Sequence, residues 1–452
     1  MRRRIHASKL LLLGLMLGLS GCFADNQLVV MRDIQQAVQT ENYERAEQLA
    51  QEKAALKQAR NDALRALELG MITHLSGKYA DSNAWFELAV NRMDELDVIS
   101  VSGTAEAWIL SEKFQPYRGE DFERVLAHYY MALNYLLSGE LQDALVECRR
   151  VNDLLQQFDS RYEQKNVYKT DAFVLYLSGL IYEAMGETND AFIDYRHAFE
   201  TYRTDYATHY GTPAPVELQE NLLRTAAALG FHDEGEKYRA LIPDGHWPDQ
   251  QVYQESARLV VIWENGLIPY KAARAFRWDA GLEDVVEDIG EDRDDDDDAD
   301  CYVKFSFAEF VPRMKMLSQA SVTAGGVTRS LELAEDLARI AAKNLEDRRL
   351  RTIMQAMSRN LLKCAAQQEL GEKHWFWQLL LAGLTELTEG ADVRHWFLLP
   401  AEIHITQLLL PPGDTDVVLS YADANGKTLR QATLENVHLE AGRTKFVVQR
   451  TF

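Results

Sequence analysis

The chain has 452 residues, 47% of them hydrophobic, and a formal net charge of −22 at pH 7. The apolar content is sufficient for folded cores, and the length predicts two or three domains. So acidic a body repels phosphate groups, which argues against nucleic acid and anionic lipid headgroups as partners.

The first 21 residues have the pattern of a secretory signal peptide. A basic start precedes an apolar core at residues 10–19, which is shorter than the roughly 18 residues that span a bilayer. The core ends in a lipobox, Leu19-Ser20-Gly21-Cys22, where the Cys22 thiol accepts the lipid. We expect cleavage before Cys22, acylation there (palmitate among the chains), and a linker at residues 22–28. Removal of the signal takes the net charge to about −26.

The lipid predicts the location of the protein. Each buried methylene contributes about 0.8 kcal/mol, so the two or three chains of a bacterial lipoprotein anchor it durably. Phe23 and not Asp follows the cysteine, which under enteric sorting rules favours the outer membrane. We therefore expect a protein on the periplasmic face of the outer membrane. The remaining cysteines, Cys148, Cys301 and Cys364, are odd in number and widely spaced, which favours buried single thiols over a disulfide.

Residues 29–245 have the pattern of tetratricopeptide-like helical repeats. Such units are pairs of antiparallel helices with small residues at the crossings and aromatic residues in the gaps. The best match is Asp171–Tyr202, and residues 91–120 and 156–170 are expected to be insertions. The consensus positions of the three best units are Leu69, Gly70, Gly77, Phe86, Ala89, Tyr135, Gly139, Ala144, Gly179, Tyr182, Gly186, Ala191, Tyr195 and Ala198.

Stacked repeats leave a concave groove that suits a peptide or protein segment. Each aromatic residue is first explained by core packing. As candidate partner contacts, the best repeat offers Tyr182, Tyr195 and Tyr202. The acidic chain makes a basic partner plausible, and a charged face exposed only to solvent is the alternative.

Residues 246–400 predict a mixed domain of strands and helices. A buried strand is expected at 257–263, a strand of alternating apolar and polar residues at 301–307, and helices from Thr328 to about Gln368. The acidic loop 281–300 contains five consecutive aspartates, which favours disorder. A calcium site is the alternative, although the loop lacks alternating ligands and a central glycine. The aromatic run at 374–384 is expected in the core, with membrane contact as the alternative.

Residues 401–452 predict an antiparallel β-sandwich-like tail. Asn425-Gly426 lies between two alternating runs, a strong signal for a hairpin. A second hairpin is expected between 437–439 and 446–450. The fold class is therefore α+β, with an N-terminal solenoid and a mixed C-terminal region.

The sequence offers little for catalysis. A zinc-binding His-Glu-x-x-His, a nucleophile-elbow serine and a phosphate-binding glycine loop are all missing from it. We predict no catalytic residues, no metal and no cofactor, and a scaffold that organises cell-envelope proteins. The alternatives are a regulator or enzyme of peptidoglycan metabolism and a component of an envelope secretion or export assembly.

Two further motifs carry a family resemblance. They are Glu264–Lys271 and Ala391–Pro400, and they follow the lipobox and the repeats. In this order the elements resemble an uncharacterised family of tetratricopeptide-containing bacterial lipoproteins. Its members resemble neighbours of the lipoproteins that activate penicillin-binding proteins, which implies a role in envelope assembly. From the residues themselves, Asp392 and Arg394 are expected to brace a corner, with Trp396 packed beneath it.

Overall fold

The computed structural model describes residues 22–101, 115–161, 168–279, 285–286, 302–347 and 391–452. The signal peptide, Cys301, Cys364 and the aromatic run 374–384 lie outside these ranges. The acidic loop 281–300 also lies outside them, apart from residues 285–286.

Helices occupy the first half of the chain. They are α1 (Cys22–Gln39), α2 (Tyr43–Glu52), α3 (Ala54–Lys57), α4 (Asp62–Leu75), α5 (Tyr79–Val101), α6 (Asp121–Leu137), α7 (Leu141–Arg161), α8 (Ala172–Ala184), α9 (Thr188–Thr201), α10 (Val216–Leu229), α11 (His232–Leu241) and α12 (Gln250–Glu255). A π-helical turn at Tyr202–Tyr206 continues α9. A further helix, α13, begins at residue 337 and is described to residue 347.

Consecutive helices pair as hairpins, α4 with α5, α6 with α7 and α8 with α9. Gly77, Gly139 and Gly186 lie at the turns of these hairpins with φ of 76°, 82° and 85°. Positive φ is accessible to glycine without steric cost, which explains this residue at each turn. Two details differ from expectation. Helix α1 begins at Cys22, within the linker predicted at 22–28, and α5 continues to Val101, within the insertion predicted at 91–120.

In the described part of the chain, strands form two four-stranded sheets and one three-stranded sheet. They are β1 (Ala257–Asn265), β2 (Tyr270–Asp279), β3 (Val285–Val286), β4 (Tyr302–Val311), β5 (Gln319–Ala324), β6 (Val327–Ser330), β7 (Glu332–Glu335), β8 (Glu402–Leu410), β9 (Gly413–Ala422), β10 (Thr428–Leu439) and β11 (Thr444–Thr451). The central sheet has the order β11-β1-β8-β7, the outer sheet β10-β9-β5-β6, and the small sheet β3-β2-β4.

The central sheet is the middle of three layers. Every residue of β1 is buried, because its two faces pack against different partners. Val260 and Ile262 belong to the core shared with the helices. Leu259, Val261 and Trp263 point the other way, into a core shared with the outer sheet. The alternation of side chains along a strand thus joins solenoid and sandwich through one sheet.

The predicted α+β class is confirmed, with a solenoid followed by a β-sandwich. The boundary at residue 400 is not a structural one, because β8 pairs with β1 and β9 with β5. The expected second hairpin is wrong, since β10 lies in the outer sheet and β11 pairs in parallel with β1. The helix expected from Thr328 is preceded by β6 and β7.

The hairpin at Asn425-Gly426 is formed. Gly426 has φ of 80°, and Asp423 Oδ1 accepts hydrogen bonds from the N–H groups of Asn425 and Lys427. In the described ranges, none of the helices combines the length and apolar character that crossing a membrane requires.

Candidate functional site

The groove of the solenoid is already occupied, by residues 391–400 of the same chain. We call these residues the docked segment. The groove is the surface that they contact on α4, α5 and α6, together with the turn before α4. Residues 394–400 are all buried, and Trp396 is 0% exposed. The repeats therefore bind the sequence motif Ala391–Pro400 of the same chain.

Two buried glutamates hold the backbone of the docked segment. The N–H of Trp396 donates to Glu123 Oε1 at 2.7 Å, and the N–H of Phe397 donates to Glu68 Oε1 at 2.6 Å. Glu68 lies on α4 and Glu123 on α6, and both are 0% exposed. A buried main-chain N–H group needs an acceptor, and each glutamate supplies one. Side chains from two neighbouring helical hairpins thus bind consecutive backbone N–H groups of the docked segment.

Aromatic packing adds side-chain recognition. The Trp396 ring lies with its centroid 5.4 Å from that of Phe86 on α5 and 5.7 Å from that of Tyr130 on α6. Tilted and edge-on pairs at these distances are favourable beyond the area that they bury. Phe86 also packs where α4 and α5 cross. It lies so close to Gly70 that a Cβ on this residue would be 2.5 Å from the ring. One consensus aromatic residue therefore serves both the repeat and the docked segment.

Arg394 is the most connected side chain of the docked segment. Its Nη1 donates to Asn61 Oδ1 at 3.0 Å, and its Nη2 donates to the Gln115 carbonyl at 3.0 Å. Asp392 accepts from Nε and Nη2 at 2.8 and 2.7 Å. The expected Asp392–Arg394 brace is present, and it also ties the segment to the solenoid. The planar guanidinium satisfies these acceptors at once, which a lysine ammonium does not.

Residues of the sheets and of the loop after β4 also contact the docked segment. Lys271 on β2 contacts Glu120 and donates to the Arg394 carbonyl at 3.1 Å. Arg450 on β11 donates to the Leu398 carbonyl at 3.0 Å. The guanidinium of Arg313 lies 3.9 Å from the centroid of the Phe397 ring. Solenoid and sheets therefore meet through the docked segment.

Burial shifts the titration of groups around the docked segment. It raises the pKa of Glu68 to about 8, against the opposing effect of the Phe397 hydrogen bond. Burial likewise raises the pKa of Glu123, and it lowers that of His395 to about 3. Burial disfavours the charged form of each group. At neutral pH, His395 is therefore neutral and Glu68 is largely protonated.

The candidate partner contacts of the best repeat have other roles. Tyr195 and Tyr202 are 0% exposed and donate to Glu183 Oε2 and to the Ala334 carbonyl, at 2.9 and 2.8 Å. They are core residues, so their proposed contact with a partner is wrong. Tyr182 is partly exposed and accepts a hydrogen bond from Arg149 at 2.6 Å. Cys148 is buried, and burial raises the pKa of its thiol.

Sequence reasoning missed Glu68, Glu123 and Asn61. Glu68 is a charged residue among apolar residues of α4, which was a weak signal, whereas Glu123 fits the pattern of a helix capping box with Glu120. Charged residues are almost never fully buried unless they are paired. Metal chemistry has no counterpart in the described ranges, where no three or more His, Cys, Asp or Glu side chains are arranged for an ion.

Comparison with known proteins gives only distant likenesses. No protein-family model matches the sequence, and no curated protein matches it significantly. Among solved structures, MamA is 17% identical, covers 45% of this chain and 88% of its own, and has a TM-score of 0.27. The "TPR-like repeats" of a putative kinesin light chain of Podosopora anserina are 15% identical, with coverages of 49% and 92% and a TM-score of 0.30. Aspartyl phosphate phosphatase F of Bacillus subtilis is 14% identical, with coverages of 48% and 49% and a TM-score of 0.32.

Proposed function

We propose that this protein is a non-catalytic lipoprotein that organises cell-envelope proteins. It is anchored through Cys22 on the periplasmic face of the bacterial outer membrane. The lipobox and the resemblance to tetratricopeptide-containing lipoproteins support the location. The repeats support a role in binding proteins. Because the docked segment covers the surface that it contacts on α4, α5 and α6, partners bind on another surface.

One exposed loop carries this proposal. Residues 312–318 join β4 to β5, and they present Met314 at 95% and Met316 at 71% exposure. Large apolar side chains so fully exposed point to an interaction site, and methionine is enriched at protein interfaces. We call Met314 and Met316 the methionine pair.

The residues around the methionine pair are anchored. Lys315 forms an ion pair with Glu402, and Leu317 is buried in the sandwich core. Arg313 stacks on Phe397 of the docked segment. The loop backbone is therefore held in place while the two methionine side chains project outward. A preorganised apolar contact binds with a smaller entropic cost than a mobile one.

The test is site-specific photo-crosslinking in cells that express the full lipidated protein. A photoreactive residue replaces Met314, and in the matched control it replaces Leu429, which is 43% exposed on β10. We expect discrete crosslinked proteins from position 314 that are reduced at position 429 and lost in Cys22→Ala. Identical patterns from both positions, or no discrete product at 314, would contradict the proposal.

The crosslinked protein also separates the remaining alternatives. A peptidoglycan-synthesising or peptidoglycan-cleaving enzyme would define a regulator, and a subunit of an export machine would define a secretion component. A hydrolytic role for this chain itself needs two carboxylates facing each other across a cleft. Two carboxylates that line a cavity beside α10, those of Glu217 and Glu220, lie one turn apart on a single helix.

A further inference from the structure

The methionine pair differs from the other methionines of the described ranges in its exposure. Met314 and Met316 are 95% and 71% exposed, so their thioethers are open to reagents in the solvent. Met185 is partly exposed. Four methionines of the helices are buried and at most 3% exposed, namely Met31, Met71, Met93 and Met131. The protein therefore presents two of its thioethers to solvent and shields these four.

The thioether is the group of methionine that oxidants attack. With hydrogen peroxide, a lone pair of the sulfur forms an S–O bond, the peroxide O–O bond breaks, and water leaves. The sulfur is oxidised by two electrons and the peroxide is reduced by two. The product, methionine sulfoxide, is polar, and methionine sulfoxide reductases return it to methionine. Oxidation thus converts an apolar side chain reversibly into a polar one.

The residues around the methionine pair hold the loop without using the two thioethers. Lys315 forms an ion pair with Glu402, and Leu317 is buried in the sandwich core. Arg313 Nη1 donates to Gln35 Oε1 on α1 at 3.2 Å. Both methionine side chains project away from these contacts into solvent. Oxygen added to their sulfur atoms therefore changes the surface of the protein and leaves its packed core intact.

We propose that the methionine pair is a reversible oxidation site that regulates the contact made there. The inference rests on the proposed function, because it assigns a regulation to the same surface. In the reduced form, the pair offers two apolar side chains to the partner. In the oxidised form, covering the pair would bury sulfoxide oxygens, and a polar group buried without a hydrogen bond is unfavourable. Peroxide therefore weakens the contact, and the reductases restore it.

The first test is peptide mass mapping of the mature full-length protein after treatment with hydrogen peroxide. We expect the methionine pair to gain oxygen at least about tenfold faster than the four buried methionines, because oxidation follows exposure. Purified methionine sulfoxide reductases should remove this added mass. The melting temperature of protein oxidised only at the pair should equal that of untreated protein. Equal oxidation rates at exposed and buried positions, or a lowered melting temperature, would overturn the inference.

The second test is photo-crosslinking in cells that express the full lipidated protein, with a photoreactive residue in place of Met316. Position 314 keeps its methionine or carries Met314→Leu, which is apolar, has a similar volume and lacks sulfur. Each version is compared with its own untreated cells. Peroxide added before irradiation should lower the crosslinked product by about tenfold with methionine at position 314, and should not change it with leucine. A loss in both versions, or in neither, would overturn the regulation.

A reciprocal arrangement gives an independent measurement. The photoreactive residue then replaces Met314, and position 316 keeps its methionine or carries Met316→Leu, with the same expectation. The two proposals fail separately. The lack of a discrete product in untreated cells would contradict the proposed function, while mass mapping still decides whether the pair is the oxidation site. A product that persists although both sulfoxides have formed would refute the regulation and leave the proposed function in place.

Discussion

Gly179 and Gly235 are both helical glycines, and their surroundings differ. A Cβ on Gly179 would lie 2.5 Å from ring carbons of Tyr195, whereas a Cβ on Gly235 would meet nothing within 4 Å. Tyr195 cannot easily move away, because it is fully buried and bonded to Glu183. The close approach of α8 and α9 therefore depends on the missing side chain at Gly179.

We predict opposite effects of alanine at these two positions. Gly179→Ala should lower the free energy of unfolding by about 1–3 kcal/mol, because it overpacks a rigid core. Gly235→Ala should raise it by about 0.5–1 kcal/mol, because alanine is the better helix former. Urea denaturation with comparison of midpoints measures both effects. Similar midpoints for the two variants would show that the Tyr195 ring moves to accommodate the added methyl group, which would contradict the prediction.

Glu68 predicts a pH dependence of stability. Burial raises its pKa from 4.5 to about 8 in the folded protein, so the folded state binds the extra proton. Its contribution is therefore present at low pH and lost as the pH rises from about 4.5 to 8. The loss is about 1.4 kcal/mol per pH unit within this window.

Glu68→Gln removes this titration and keeps an oxygen for the Phe397 N–H. We expect the variant to gain stability relative to the wild type between about pH 5 and pH 8. Urea denaturation at several pH values measures the difference in the free energy of unfolding. The other buried carboxyl groups are present in both proteins, so their contributions cancel from this difference. Glu236→Gln, at an exposed position, should follow the wild type throughout. A constant difference between Glu68→Gln and the wild type would contradict the raised pKa.

At the scale of elements, the docked segment acts as a connector between solenoid and sheets. It leads directly into β8, the strand that pairs with β1 and β7 in the central sheet. Among the side chains of the segment, Arg394 makes the most polar contacts, to Asn61 and Gln115 on the solenoid side and to Asp392 within the segment. The position of the segment should therefore depend on the geometry of this one guanidinium.

We predict that Arg394→Lys lowers the free energy of unfolding by about 2 kcal/mol or more, because it breaks a buried, multiply bonded arginine site. Arg443→Lys, at an exposed position before β11, should change it by less than about 0.5 kcal/mol. Urea denaturation measures stability, and amide hydrogen exchange at residues 395–399 reports release of the segment. Equal behaviour of the two variants would refute the role assigned to Arg394.

At the scale of the whole molecule, the central sheet packs against the helices on one face and against the outer sheet on the other. The core around the helices includes residues of the sheets and of the docked segment, among them Ile262, Ile405 and Trp396. A division of the chain into independent solenoid, mixed domain and tail does not follow the packing. The methionine pair and the cavity beside α10 lie on parts that this assembly holds in place.

The sequence by itself determined the local structure of this protein. Helical hairpins and their turn glycines at 77, 139 and 186 follow from local periodicity and backbone preference, and so does the hairpin at Gly426. The Asp392–Arg394 brace is local as well, since its partners are two residues apart. Such features depend on neighbours along the chain and can be predicted from them.

Only the tertiary structure decided which distant segments meet. The pairing of β1 with β11 joins residues 258 and 444, and Glu68 bonds residue 397 across more than 300 positions. The same alternating pattern fits several partner strands, so it cannot specify a pairing. From the sequence alone, a buried glutamate cannot be distinguished from an exposed charged one, because its hydrogen-bond donor lies far away along the chain. For the same reason the groove, which the repeats predict to be open to a partner, proved to hold the chain's own segment.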